Sequence, residues 1–401
     1  MLTLGQLAFL ASAPGRELLS AALPDDPLAA QTALRRRCSK TEAAAVAEMR
    51  RLRSRAQASG RFTPEFARGM LATDVLLQQA SSYRLAMYVG RHLANLAAGG
   101  EVLDLCCGLG MDAIGTALGG AKVRAVDIDE RAVFCAAHNA RLGGAERRCT
   151  FETADVTAID LPADAVVHVD PDRRAAGRRT VLLADYAPEA RFLRSLITRT
   201  RAGMMKLSPA LGRDALADWP DVETEYISEH HVCRQLVLHW GRGRAGRKAT
   251  VVSGSMAAPQ AESIEADPSA VARIAEPTDW LIEPDPAVIA AGAVDTLAAR
   301  QGLHRVGAAM AWLFGRRPVA SPLVRSYHVL AQVPGRESTI KRALRDLSAG
   351  RVTVKPRGLK LDTDKLQRRF SSRKGTRDLV VLWCRLARRE EAYIAEPAEG
   401  K

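Results

Sequence analysis

The chain has 401 residues, enough for roughly two or three domains, and 47% of them are hydrophobic but only 5% aromatic, so its cores must be mostly aliphatic. Lys and Arg outnumber Asp and Glu by 58 to 45, a net charge of +13 that excludes an acidic, solvating protein and favours a polyanionic partner. The seven cysteines are odd in number and contain no C-x-x-C pair. That argues against a disulfide framework or a zinc site and for a reduced, cytoplasmic setting. The longest uncharged run, Met1 to Gly15, is too short to span a bilayer.

Residues 1–98 read as helical, with apolar positions recurring at three and four and few β-branched clusters. Ser81 and Ser82 are cap candidates for a helix running to Leu96, which Gly99 and Gly100 then end. From Glu101 short apolar runs alternate with helical segments, the pattern of an α/β domain over 99–245 with a mostly parallel sheet. Strands are expected at 102–105, 122–127, 149–153, 165–170, 203–207, 222–228 and 232–240, with helices at 111–119, 130–142 and 186–199. Residues 246–275, rich in Ser, Ala and Pro after a charged glycine-rich stretch, read as a linker. Beyond it, a strand at 280–284 and a helix at 286–301 belong to a segment 276–320. The last part, 321–395, alternates strand and helix as a small α+β domain.

The sharpest signal is Val102-Leu103-Asp104-Leu105-Cys106-Cys107-Gly108-Leu109-Gly110, a strand entering a glycine turn before a helix. Gly108 and Gly110 let the backbone approach a ligand without Cβ interference, and the helix start behind them offers free N–H groups. The next glycine, Gly115, falls too late for a dinucleotide fingerprint. Asp104 would repel a pyrophosphate but could bind a cationic amine, so the turn suits an amino-acid-bearing nucleoside better than NAD. Asp127 ends the second strand, seventeen residues after Gly110, where a ribose diol is gripped by an acid. Asp155, after the third strand, could face an exocyclic adenine amine. Asp129 reads as a helix cap.

The block from Val102 to Asp155 resembles the cofactor half of class I S-adenosylmethionine-dependent methyltransferases, a Rossmann-like fold with a seven-stranded sheet. The resemblance implies that Asp104, Gly108 and Gly110 hold the methionine end of S-adenosylmethionine, Asp127 the ribose and Asp155 the adenine, with Ile128 packed on the ring. Val169-Asp170-Pro171-Asp172-Arg173-Arg174 is similar to the Asn/Asp-Pro-Pro-aromatic loop of enzymes that methylate exocyclic base nitrogens. Asp170 and Pro171 match that loop as catalytic residues, whereas Asp172 and Arg173 replace its second Pro and aromatic. An Arg173 guanidinium can stack on a base or clamp a phosphate. Arg174, Arg178 and Arg179 would form a basic lip, and Lys206 would line the opposite wall. Leu207 and Ser208 stand where pyrimidine C5 methyltransferases carry a cysteine, which disfavours that chemistry. His230, His231, Cys233 and His239 lack the spacing of a metal site, with His230 and His231 expected on opposite strand faces.

The order of parts is similar to a bacterial group with a helical N-terminal region, a class I core, a ferredoxin-like segment and a C-terminal THUMP-like domain. The resemblance implies a structured RNA, tRNA or rRNA, as partner, with no membrane involved. Residues 321–401 hold 19 Lys plus Arg against 9 Asp plus Glu, while 101–250 hold 21 of each. Lys341, Arg342, Arg368 and Arg369 are therefore the phosphate-contact candidates, since several basic clusters in one small domain favour backbone contacts. The leading expectation is an RNA methyltransferase acting at an exocyclic base nitrogen. Its rivals are an RNA-binding protein that keeps the fold without turnover and a methyltransferase for a small molecule or protein.

Overall fold

The computed structural model describes residues 2–398 except 176, 177, 180, 181, 221, 244, 257, 309, 387 and 388, and except the side chains of 174, 175, 178, 179 and 213. Two compact units emerge: residues 1–225, 234–246 and 252–261 form the first, and 226–233, 247–251 and 262–401 the second.

The first unit opens with helices α1 (Leu4–Ala11), α2 (Ala13–Ser20), α3 (Pro27–Arg35), α4 (Lys40–Ala58), α5 (Pro64–Gly69), α6 (Asp74–Gln79) and α7 (Tyr83–Ala97). Most start on a Ser, Thr or Asp whose side chain accepts an otherwise unpaired N–H. For α7 this is Ser82, which accepts from Leu85, and the helix ends on left-handed Ala98. The sheet then builds from β1 (Glu101–Leu105), β2 (Lys122–Asp127), β3 (Cys149–Thr153) and β4 (Val166–Val169), with α8 (Met111–Leu118) after β1 and α9 (Glu130–Leu142) after β2. A short pair, β5 (Arg174–Ala175) and β6 (Arg178–Arg179), precedes α10 (Ala190–Arg199) and β7 (Ala202–Leu207). β8 (Glu223–Glu229), β9 (Val232–Trp240), β10 (Gly246–Gly254) and β11 (Pro259–Glu265) complete the series, and the division between the units runs through these four strands. The strand order is β11-β10-β8-β9-β7-β4-β1-β2-β3. The β7-β4-β1-β2-β3 stretch is parallel, and β9 joins β7 antiparallel, as expected of the class I core.

The N-terminal helices are no separate module. Their Leu, Ala and Met side chains share one buried core with α8 and α9, and α7 meets α8 backbone to backbone. A Cβ added at Gly90 would lie 2.1 Å from the Gly115 carbonyl carbon, and one at Gly115 would lie 2.1 Å from Ala86 O. Gly115, too late for a phosphate turn, is thus a helix-packing glycine.

The second unit holds β12 (Trp280–Pro284), α11 (Pro286–Ala291), α12 (Val294–Gln301), β13 (His304–Arg305), β14 (Leu313–Gly315), β15 (Val324–Pro334), α13 (Glu337–Asp346), β16 (Ala349–Arg357), α14 (Thr363–Phe370), β17 (Arg377–Leu386) and β18 (Arg389–Pro397). These strands form one sheet in the order β13-β14-β12-β15-β18-β17-β16. The stretches 276–320 and 321–395, expected as two pieces, therefore share a single sheet. The expected helix 286–301 is broken by left-handed Gly292 (φ 74°). The expected linker 246–275 carries β10 and β11, because the Ala249–Val252 run is buried. His230 and His231 are not on opposite strand faces but form a two-residue turn, with φ of 52° and 55°, between β8 and β9. Among the described residues no helix is long and apolar enough to cross a membrane.

Candidate active site

The C-terminal ends of β1, β2 and β4 open into a cavity of about 1050 Å³, walled also by α6, by the start of α8 and by α10. At its floor the turn after β1 is left-handed at Cys106, Gly108 and Gly110 (φ 62°, 53° and 76°). A Cβ at Gly110 would lie 2.9 Å from the Ala136 methyl, whereas one at Gly108 would project into open space. The two glycines thus serve different ends: Gly110 lets α9 pack, and Gly108 keeps the cavity floor clear.

Asp127 ties this turn to the next. Its Oδ2 accepts from the Gly108 N–H at 2.9 Å and its Oδ1 from the Asp129 N–H at 3.0 Å. A carboxylate has about four acceptor positions, so capacity remains for a diol. Burial holds its carboxyl above the usual range. Beside it, the Ile128 side chain is 73% exposed and borders the cavity, an apolar face open to a flat ring. Asp129 caps α9 through the Arg131 N–H. Asp155 is exposed, and its Oδ1 accepts from both the N–H and the hydroxyl of Thr157, at 2.9 and 2.8 Å. Those bonds lower its carboxyl and leave Oδ2 without a partner among the described residues.

Below the cavity lies a polar layer that sequence spacing did not reveal. Asp104 on β1 and His168 on β4 are register partners, with His168 Nδ1 2.6 Å from Asp104 Oδ1 and both side chains almost fully buried. Burial raises the Asp104 carboxyl. Lys206 on β7 is also buried, which corrects its expected place as a substrate contact. Its ammonium donates to Asp112 Oδ2 at 2.5 Å and Ser81 Oγ at 2.8 Å, and stands 3.5 Å from Asp170 Oδ2. Burial alone would depress the ammonium, but Asp112 and then Asp170 hold it above its ordinary value, while Lys206 holds Asp112 below. The register explains the miss. Residue 206 sits two places after Met204, the partner of His168, and therefore shares the inward face with His168 and Asp170.

Asp170 follows β4, its N–H donating to Leu105 O at 3.2 Å and its carboxylate partly exposed to the cavity. Pro171 is buried beside it. Asp172 is drawn aside by Gln79 on α6, whose amide donates to Oδ1 at 2.7 Å. Arg173 lines the cavity near buried Tyr186, whose hydroxyl accepts from the Ser208 N–H at 3.1 Å. An aromatic face is supplied from elsewhere, by half-buried Phe192 on α10. The side chains of Arg174 and Arg178 lie outside the described residues. In the second unit Lys341 and Arg342 on α13, and Arg368 and Arg369 on α14, are exposed, and Arg369 pairs with Glu337 at 2.7 Å.

Comparison with known proteins agrees with this geometry. Residues 99–198 match the family model described as RNA cap guanine-N2 methyltransferase, 324–397 a THUMP domain-like model, and 3–56 a domain of unknown function. An uncharacterised S-adenosylmethionine-dependent methyltransferase of Mycobacterium tuberculosis, from strains CDC 1551 and H37Rv, is 33% identical over 345 residues, covering 82% of this chain and 89% of the relative. The chain belongs to the S-adenosylmethionine-dependent methyltransferases. In fold, this methyltransferase is similar along 99% of its length to a candidate methyltransferase from Porphyromonas gingivalis W83, with a TM-score of 0.70 at 18% identity and 98% of that chain covered.

The methyltransferase's cavity fits its cofactor on internal grounds. Asp104 Oδ2 is a buried acceptor with no partner among the described residues, suited to an ammonium. Gly108 leaves open space over the floor, and Ile128 presents an apolar surface on the β2 side. S-adenosylmethionine, when bound, supplies an electrophilic methyl on a sulfonium.

Proposed function

We propose that this methyltransferase modifies structured RNA, tRNA or rRNA, at an exocyclic base nitrogen. The observation that carries the reading is Asp170-Pro171 at the end of β4, in the same cavity as the glycine turn. An exocyclic amine has two hydrogens to place while its lone pair attacks. The Asp170 carboxylate and the Pro171 carbonyl are acceptors suited to them, and Phe192 offers a π-face for an extruded base. Catalysis on this reading is chiefly positioning of the amine against the methyl group. The match of residues 99–198 to a guanine-N2 methyltransferase model and of 324–397 to a THUMP domain-like model support an RNA acceptor. So do the exposed cations Lys341, Arg342 and Arg368, which are suited to phosphates that position without specifying. A cytoplasmic location accords with seven free cysteines.

The test is incubation of the full chain with methyl-labelled cofactor and unmodified tRNA or rRNA, followed by digestion to nucleosides and mass spectrometry. A base methylated on its exocyclic nitrogen is expected, and Asp170→Ala should lower its yield at least a hundredfold while cofactor binding persists. Methylation of a ring carbon, or of protein alone, would replace the reading.

A further inference from the structure

The polar layer under the cavity contains a buried imidazole to which neither the glycine motif nor the Asp170 loop gives a role. His168 stands beside Asp104 across the β1–β4 pair. With Asp104 ionised and acceptor-only, Nδ1–H donates to Oδ1. Among the described residues Asp104 Oδ2 and His168 Nε2 have no hydrogen-bond partner, and neither does Oδ1 of Asp112 at the start of α8. All three residues border the cavity. A buried acceptor left unpaired is costly, and the Asp104 and Asp112 oxygens are two such acceptors side by side in one wall.

Charge points the same way. Asp104, Asp112 and Asp170 surround this layer, and Lys206 is the cation paired with two of them. This layer sets three carboxylates against one lysine, and so is short of both positive charge and N–H donors. An ammonium group supplies both, and the amino-acid end of S-adenosylmethionine carries one.

We propose that His168 is a positioning residue for cofactor recognition. It anchors Asp104 through Oδ1, so that Oδ2 is kept for the cofactor's α-ammonium. Without that anchor the carboxylate has no side-chain partner and can rotate or take up a proton, and selection for the amino-acid end is lost. Binding of the adenosine end, on the β2 side, is left intact. The inference rests on the cofactor alone and stands apart from the choice of acceptor.

The experiment is calorimetric titration of the full chain with two ligands. One is S-adenosylmethionine; the other is 5′-methylthioadenosine, which keeps adenine, ribose and sulfur but lacks the amino-acid end. His168→Phe is expected to weaken S-adenosylmethionine binding about tenfold or more and to leave methylthioadenosine within about twofold. His168→Asn, which retains an N–H donor, should recover part of the loss. Equal weakening of both ligands would mean a structural role only, and unchanged binding of both would mean no role; either overturns the proposal. If the Phe variant does not fold, Asp104→Asn and His168→Asn carry the same comparison. Selective loss of S-adenosylmethionine in Asp104→Asn, reduced in His168→Asn, supports the proposal, and non-selective loss overturns it.

Discussion

Removing the Lys206 ammonium would leave Asp112 and Asp170 facing each other across a buried gap. Breaking a buried pair by deleting one partner typically costs about 3–5 kcal/mol, because the surviving charge has lost its compensation. Lys206→Met is therefore expected to lower the unfolding free energy by an amount in that range, measured by urea denaturation followed by circular dichroism. It should also slow methyl transfer, since the same ammonium orients Asp170. A different outcome is expected at Gly108, where a side chain meets open space rather than protein. Gly108→Val should cost about 1–2 kcal/mol of stability for its left-handed backbone. It should abolish S-adenosylmethionine binding, checked by titration beside a melting curve. Asp104, Asp127 and the two glycines were legible from the sequence because they are local to one strand–turn unit. His168, Asp112 and the pairing of Lys206 were not. Those contacts join residues 64 and 94 positions apart, and only strand register decides which side chains share a face.

Among the elements, those with strong local signals followed expectation. Ser82 caps α7, and Ser82→Ala should destabilise the chain by about 1 kcal/mol in chemical denaturation. The elements that escaped reading include the strands β10, β11 and β18. In β11 only Ile264 is buried, so no two-residue alternation marks it as a strand. β10 buries its Ala249–Val252 run between a charged start and a terminal glycine, and the flanks masked the run. β18 follows β17 across a short connection, and its charged Arg389-Glu390-Glu391 start resembles a loop. In each case the sheet supplies partners that local propensity does not announce.

Across the whole molecule, positive charge is not spent uniformly. The N-terminal helices look basic in sequence, yet Arg50, Arg53 and Arg61 donate to backbone carbonyls, and Arg51 and Arg55 pair with Asp74. These arginines satisfy helix ends and loops within the first unit. The exposed cations of α13 and α14 have fewer such duties. Replacing Lys341, Arg342 and Arg368 together by Ala is expected to weaken RNA binding. It should also flatten the dependence of log affinity on log salt by about two to three, measured by filter binding from low to moderate salt. Arg53→Ala should lower the melting temperature instead and leave that slope unchanged.

The glycine contact between α7 and α8 has a mechanical consequence. α7 begins just after Ser81, which accepts from Lys206, and α8 begins at the glycine turn that lines the cavity. Where they cross there is no side-chain padding, so neither helix can slide or roll without its partner. A single methyl at residue 115 would stand more than an ångström inside contact distance of Ala86 O and would wedge the pair open like a shim. Heat lability and weakened cofactor affinity should then appear together in Gly115→Ala, since one seam sets the spacing of both helix starts.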